Sequence, residues 1–200
     1  ANLTVNTVVS ATPLLSLTNC PGSTAVFSTV ASGSGPFSYA WFKDGDALGE
    51  TGNTLTLNNV TSEDAGVYSV IVSGACGSVT NSANLTVNTV VSATPLLSLT
   101  NCPGSTAVFS TVASGTGPFS YTWFKDGNVL SETGSALTLN SVAAGDAGIY
   151  TVVVSGACGS VTNSASLTVN TVVSATPLLS LTNCPGSTAV FSTVASGSGP

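Results

Sequence analysis

The residues most able to do chemistry in this chain are five cysteines: Cys20, Cys76, Cys102, Cys158 and Cys184. They fall into two classes, Cys20/Cys102/Cys184 and Cys76/Cys158, with members 82 residues apart. A zinc site would draw on CxxC pairs or histidines, and the sequence has neither. Oxidation of paired thiols to disulfides fits better, with two cysteines in each period. Other reactive groups are scarce: eight carboxylates, two lysines (Lys43 and Lys125) and no arginine. Acid–base catalysis near neutral pH commonly uses a histidine or a tuned carboxylate. Here the acids are scattered over turns, and the many Ser and Thr hydroxyls have no base beside them to make a nucleophile. The sequence therefore reads as non-enzymatic, with no catalytic residue, metal site or cofactor. Asp44-Gly45-Asp46 offers oxygens to calcium, but the matching Asp126-Gly127-Asn128 carries less charge, and a plain turn is the better reading. Lys43, in Trp41-Phe42-Lys43-Asp44-Gly45, reads as a solvated lysine.

Composition narrows the class further. Charged residues make up 5% of the 200, net charge is −6, and hydrophobic residues reach 42% with mean hydropathy +0.47. Nucleic-acid binding needs Lys and Arg to neutralise phosphates, so that class is excluded. Apolar runs such as Val70-Ile71-Val72 fall far short of the ~20 residues needed to cross a bilayer as a helix. Asn2, Asn59 and Asn84 open N-x-Thr sequons, which matter only in a glycosylating host.

The chain repeats itself. ANLTVNTVVSATPLLSLTNCPGSTAVFSTVASG starts at Ala1 and again at Ala83, and a one-residue variant starts at Ala165. Such a period is read as one structural unit stacked on copies of itself, and the chain reads as a window on a longer tandem array. Within a period, apolar and polar residues alternate: Ala25, Phe27, Thr29 and Ala31; Leu55 and Leu57; Tyr68, Val70 and Val72. Pro21-Gly22, Asp44-Gly45 and Gly74-Ala75-Cys76-Gly77 punctuate these runs as turns. About seven strands per period are expected, the number of a β-sandwich, with at most one helical turn at Asp64-Ala65-Gly66.

Gly22-x-x-Ala25-x-Phe27-x-Thr29-x-Ala31, then Trp41-Phe42-Lys43-Asp44-Gly45, Leu55-x-Leu57 and Asp64-Ala65-Gly66-x-Tyr68-x-Val70, resembles an immunoglobulin-like domain of the intermediate set. The pattern recurs at Trp123 to Gly127, Leu137 to Leu139 and Asp146 to Tyr150. Composition and near-identical tandem copies also resemble the Ig-like repeat arrays of giant bacterial surface proteins. The resemblance implies an all-β fold of tandem Ig-like sandwiches. Residues 1–6 would be the last strand of a preceding domain, 7–88 and 89–170 two domains, and 171–200 the first strands of a third. It implies Trp41 and Trp123 as core plugs and Tyr68 and Tyr150 as tyrosine corners. The usual core cysteines are replaced by Thr29 and Val70, and by Thr111 and Val152.

On that fold Cys20 lies in the turn from strand A to strand B and Cys76 at the F–G tip, at opposite ends of a domain about 25 Å long. A disulfide needs Cα atoms within ~7 Å. The resemblance therefore points Cys20 to Cys158, the F–G tip of the following copy, with Cys76, Cys102 and Cys184 partnered outside this stretch. A bridge within one domain through an altered A strand, and interchain or free thiols, stay open alternatives.

The junctions lack a Gly- or Ser-rich spacer: Leu85-Thr86-Val87-Asn88 runs directly into Thr89-Val90-Val91. Val8-Val9 and Leu14-Leu15 cannot both point inward along a strand, so some apolar surface is exposed or covered by a neighbouring copy. Copies one and two differ chiefly between Ser34 and Ile71, whereas Thr7–Gly33 recurs unchanged. The function implied is structural: a stiff extracellular or cell-surface rod or filament, bacterial by resemblance, whose partners are other copies of the repeat. An adhesin stalk or a module binding glycan or protein is the alternative.

Overall fold

The computed structural model describes residues 1–198; Gly199 and Pro200, the end of the partial third copy, lie outside the described residues. The first repeat forms β1 (Ser10–Ala11), β2 (Leu17–Asn19), β3 (Ala25–Ser28), β4 (Ala31–Ser32), β5 (Ser38–Lys43), β6 (Asp46–Ala47), β7 (Thr54–Leu57), β8 (Gly66–Gly74) and β9 (Gly77–Val87). The second repeats them as β10 (Ser92–Ala93), β11 (Leu99–Asn101), β12 (Ala107–Ser110), β13 (Ala113–Ser114), β14 (Ser120–Lys125), β15 (Asn128–Val129), β16 (Ala136–Leu139), β17 (Gly148–Gly156) and β18 (Gly159–Val169). A 3-10 turn, Ser62–Asp64, precedes β8, and its counterpart, Ala144–Asp146, precedes β17.

In the first repeat one face is a five-stranded sheet ordered β2-β9-β8-β5-β6. The other consists of β3 with β7 and of β1 with β4. The nine short segments make the seven expected strands because strands A and B are each interrupted. Proline has no N–H to give a ladder, and Pro13 splits strand A. Its first part, β1, pairs antiparallel with β4; its second, β2, crosses to the other sheet and pairs in parallel with β9, Leu17 opposite Leu85. Strand A thus belongs to both sheets.

Alternation does what period-two patterning requires. Ala25 and Phe27 of β3 point into the sandwich, as do Tyr68, Val70 and Val72 of β8. Trp41 lies opposite Val70 in the ladder, and both are fully buried. The Trp41 indole N–H donates to the Gly52 carbonyl at 2.8 Å, so its one polar atom is satisfied. Phe27 and Tyr68 stack with centroids 5.0 Å apart, within the range for favourable aromatic pairs. Thr29, at a position the family usually gives to cysteine, is buried and donates its hydroxyl to the Thr12 carbonyl at 2.7 Å.

The doubled apolar pairs divide as alternation demands. Val9 is 5% exposed and Val8 77%; Leu14 is 7% exposed and Leu15 78%. The leucine pair of the second repeat does the same, with Leu96 at 7% and Leu97 at 77%.

By backbone contacts the chain divides into two compact units. The first is Ala1–Val91 together with Gly115–Pro118 and Gly156–Gly159, and the second holds the remainder. The turn between β17 and β18 thus clusters with the first unit.

Candidate functional site

The turn after β2 is set by Cys20-Pro21-Gly22-Ser23. Proline fixes φ for the first central position and glycine accepts the positive φ needed at the second; Gly22 has φ +80°. The Ser23 N–H closes the turn on the Cys20 carbonyl at 3.2 Å. The Ser23 hydroxyl donates to the same carbonyl at 2.7 Å, while the Asn19 amide donates to Ser23 Oγ and to the Thr24 carbonyl. Gly22 N–H to Val60 O at 2.8 Å, and Val60 N–H to Ser23 O at 2.9 Å, tie the turn to the buried Val60. The Cys20 backbone is therefore held from both sides.

The opposing element is the β17–β18 turn, Gly156-Ala157-Cys158-Gly159. Ala157 N–H donates to the Thr116 carbonyl at 3.0 Å, and Val91 N–H donates to the Cys158 carbonyl at 3.3 Å. Cys158 is 6% exposed. Between these two anchored turns runs a disulfide, Cys20 to Cys158, with Cα atoms 5.5 Å apart and a sequence separation of 138. That Cα distance sits at the centre of the disulfide range. Beside Cys20 lies an open hollow of about 480 Å³, lined by Pro21, Gly22, Thr61, Asn88, Thr89 and Val90. Cys76, half-buried, and Cys102 and Cys184, both exposed, are free thiols.

The aromatic residues singled out in the sequence lie in the two cores. The Tyr68 hydroxyl donates to the Asp64 carbonyl at 2.8 Å and Tyr150 to the Asp146 carbonyl at 2.8 Å. Burial pushes both phenols above their usual pKa. Trp123 is fully buried, its indole bonded to the Gly134 carbonyl at 2.9 Å.

Asp44 spends its oxygens on the protein. Oδ1 accepts the Val67 N–H at 2.8 Å and Oδ2 accepts from Lys43 at 3.2 Å; the backbone bond first, then the lysine, hold its carboxyl below the usual range. Asp126 does likewise with Lys125, the larger cause there, and with Ile149 N–H. Asp44 thus clamps the β5–β6 turn to β8 and Asp126 the β14–β15 turn to β17, a role the turn pattern alone does not reveal. Among the described residues no group of three or more His, Cys, Asp or Glu could hold a metal. Asn81 is a second residue of this kind: from β9 its amide donates to the Thr12 carbonyl at 2.9 Å. Its only sequence signal is a polar residue at an otherwise inward-pointing register.

A shallow groove of about 290 Å³ lies beside Pro13, Leu15 and Val26, and its counterpart, about 360 Å³, beside Pro95, Leu97 and Val108. No helix among the described residues is long and apolar enough to cross a membrane.

A family model described as immunoglobulin I-set domain matches residues 11–87 and 92–169. Leucine-rich repeats and immunoglobulin-like domains protein 3 of Homo sapiens is 33% identical over 143 residues, covering 65% of this chain and 13% of that protein; the Mus musculus protein matches equally. The chain thus spans about an eighth of these relatives' length. A three-Ig fragment of titin superposes with a TM-score of 0.74 at 24% identity, covering 82% of this chain and 66% of the fragment. Extracellular domains 3–5 of Drosophila OTK give 0.63 at 20% identity, with 80% and 61% covered. Sidekick-1 immunoglobulin domains 1–4 give 0.67 at 19%, with 84% and 50% covered. These structural likenesses carry the fold. The curated relatives are animal proteins and lend no support to a bacterial source.

Proposed function

Since this chain belongs to the immunoglobulin I-set family, which matches both of its complete repeats, we propose that it is a stretch of a long extracellular structural array whose repeats are cross-linked in series. The single observation that carries this reading is the Cys20–Cys158 bond. It joins one copy's A–B turn to the next copy's F–G turn in a chain whose repeats are nearly identical. Any further copy brings the same two turns, so the bond can be iterated: Cys102 and Cys184 are then partnered by later F–G turns and Cys76 by an earlier A–B turn. Domains of 7–88 and 89–170, flanked by parts of others, follow from the same period.

The role is non-catalytic: length, stiffness and resistance to proteases. A persistent disulfide favours an oxidising, extracellular location, as does the likeness to extracellular domains of OTK. Low charge and near-identical copies are the grounds for placing the array on a bacterial surface. Lateral contacts between neighbouring copies would use the exposed Leu15 and Leu97 and the grooves beside them. The same grooves favour the second reading, a stalk whose surface binds glycan or protein.

Electron microscopy of the protein isolated from its source tests the proposal. Uniform filaments with a regular axial repeat are expected. Single, flexible strands without lateral order would overturn the filament and leave a spacer or adhesin stalk.

A further inference from the structure

We infer that the Cys20–Cys158 bond is a load-bearing cross-link that takes everything between the two cysteines out of the path of tension. A force pulling on the two ends of this chain travels along covalent bonds by the shortest connected route. From the N-terminus that route follows β1 and β2 to Cys20, crosses the disulfide to Cys158, and leaves along β18. The rest of the first repeat, and the second repeat up to its F–G turn, hang from this route as a closed loop and carry no end-to-end load.

Without the bond the geometry is different. Force then enters the first repeat through β1 and β2 and leaves it through β9, and β2 and β9 are held side by side in parallel at Leu17–Asn19 and Leu85–Val87. Pulling them apart lengthwise shears that ladder, and its hydrogen bonds resist in place of covalent bonds. The second repeat is loaded the same way through β11 and β18, with Leu99 opposite Leu167. With the bond in place, neither ladder is sheared. β2 is pulled at both of its own ends, and so is β18, whose 11 residues are already extended. A strand near 3.3 Å per residue has almost no length left to give.

The residues locked away are set by the sequence separation of 138. At 3.3–3.6 Å per residue they amount to about 450–500 Å of contour. Extension to further repeats rests on the array reading: with Cys184 bonded as Cys20 is, each pair of repeats would place only the stretch from Cys158 to Cys184 under load. For the present chain the inference stands on the bond alone.

The test is single-molecule stretching of the whole chain between two marker domains of known unfolding length, with Cys76, Cys102 and Cys184 changed to Ser to block exchange. In oxidising buffer, full extension is expected to lack about 450–500 Å relative to the same molecules after reduction in place. Cys20→Ser in the same background is expected to match the reduced length, and reduction of the folded protein serves if that variant folds poorly. Equal lengths before and after reduction, with intact mass showing the disulfide, would overturn the inference, and so would a mass showing no disulfide. Single, flexible strands without lateral order from the source would sink the filament reading and leave this length change unaltered.

Discussion

Reducing the Cys20–Cys158 bond perturbs stability by an amount that follows from its place in the chain. The unfolded state gains the freedom of a loop of 138 residues. In the chain-entropy model that freedom amounts to about 5 kcal/mol at 25 °C. If the first repeat unfolds while the second stays folded, about 70 residues of the loop become free, and the same relation gives about 4 kcal/mol. The dependence is logarithmic, so the two routes differ little. The native state changes little in return, because Cys20 is held by the Pro21-Gly22 turn and Cys158 by the Val91 and Ala157 backbone bonds. At 2–4 °C per kcal/mol for a chain of this size, reduction is expected to lower Tm by about 8–20 °C. Calorimetry of one preparation with and without a phosphine reductant, with intact mass before and after, measures it. A drop below about 3 °C with complete reduction would refute the reasoning, since the unfolded chain would then already be as confined without the bond.

Tyr68→Phe removes one hydroxyl bond to the Asp64 carbonyl and keeps the stack on Phe27, so about 1 kcal/mol is expected from chemical denaturation. Tyr68→Ala, which empties the core position, should cost about 3–5 kcal/mol. Thr29→Val should cost within about 1 kcal/mol, because Asn81 still serves the Thr12 carbonyl. Adding Asn81→Ala leaves that carbonyl without either donor, and the double variant should exceed the sum of the singles by about 1–2 kcal/mol, read from a double-mutant cycle. The Asp44 and Asp126 carboxyls are lowered from 3.8 in the folded state. Their contribution is therefore complete above the unfolded value and lost as pH falls through the lowered folded one. Melting temperature should decline below about pH 4, and Asp44→Asn with Asp126→Asn should flatten that decline; an unchanged acid limb would refute the clamp role.

The period of 82, the alternating strands and the Pro and Gly turns were legible in the sequence because they express local rules: side-chain alternation, missing N–H groups and permitted φ values. Trp41 and Tyr68 were legible by family pattern. Asp44 as a clamp and Asn81 as a bridge were not, since their partners Val67 and Thr12 lie on other strands.

The third copy separates the two contributions. Residues 171–197 repeat Thr7–Gly33 without a change. They again form a local pair, Ser174–Ala175 with Ala195–Ser196, matching β1 with β4, because both partners lie inside the segment. In the complete copies the strands that follow, β2 and β3, pair instead with β9 and β7, from later in the repeat. The amino-acid sequence by itself determined the turns, the alternation and the short-range pairing. Which strands join the sheets, which apolar side chains leave water, and which cysteines come within bonding distance were decided by tertiary structure, because each needs a partner distant in the chain.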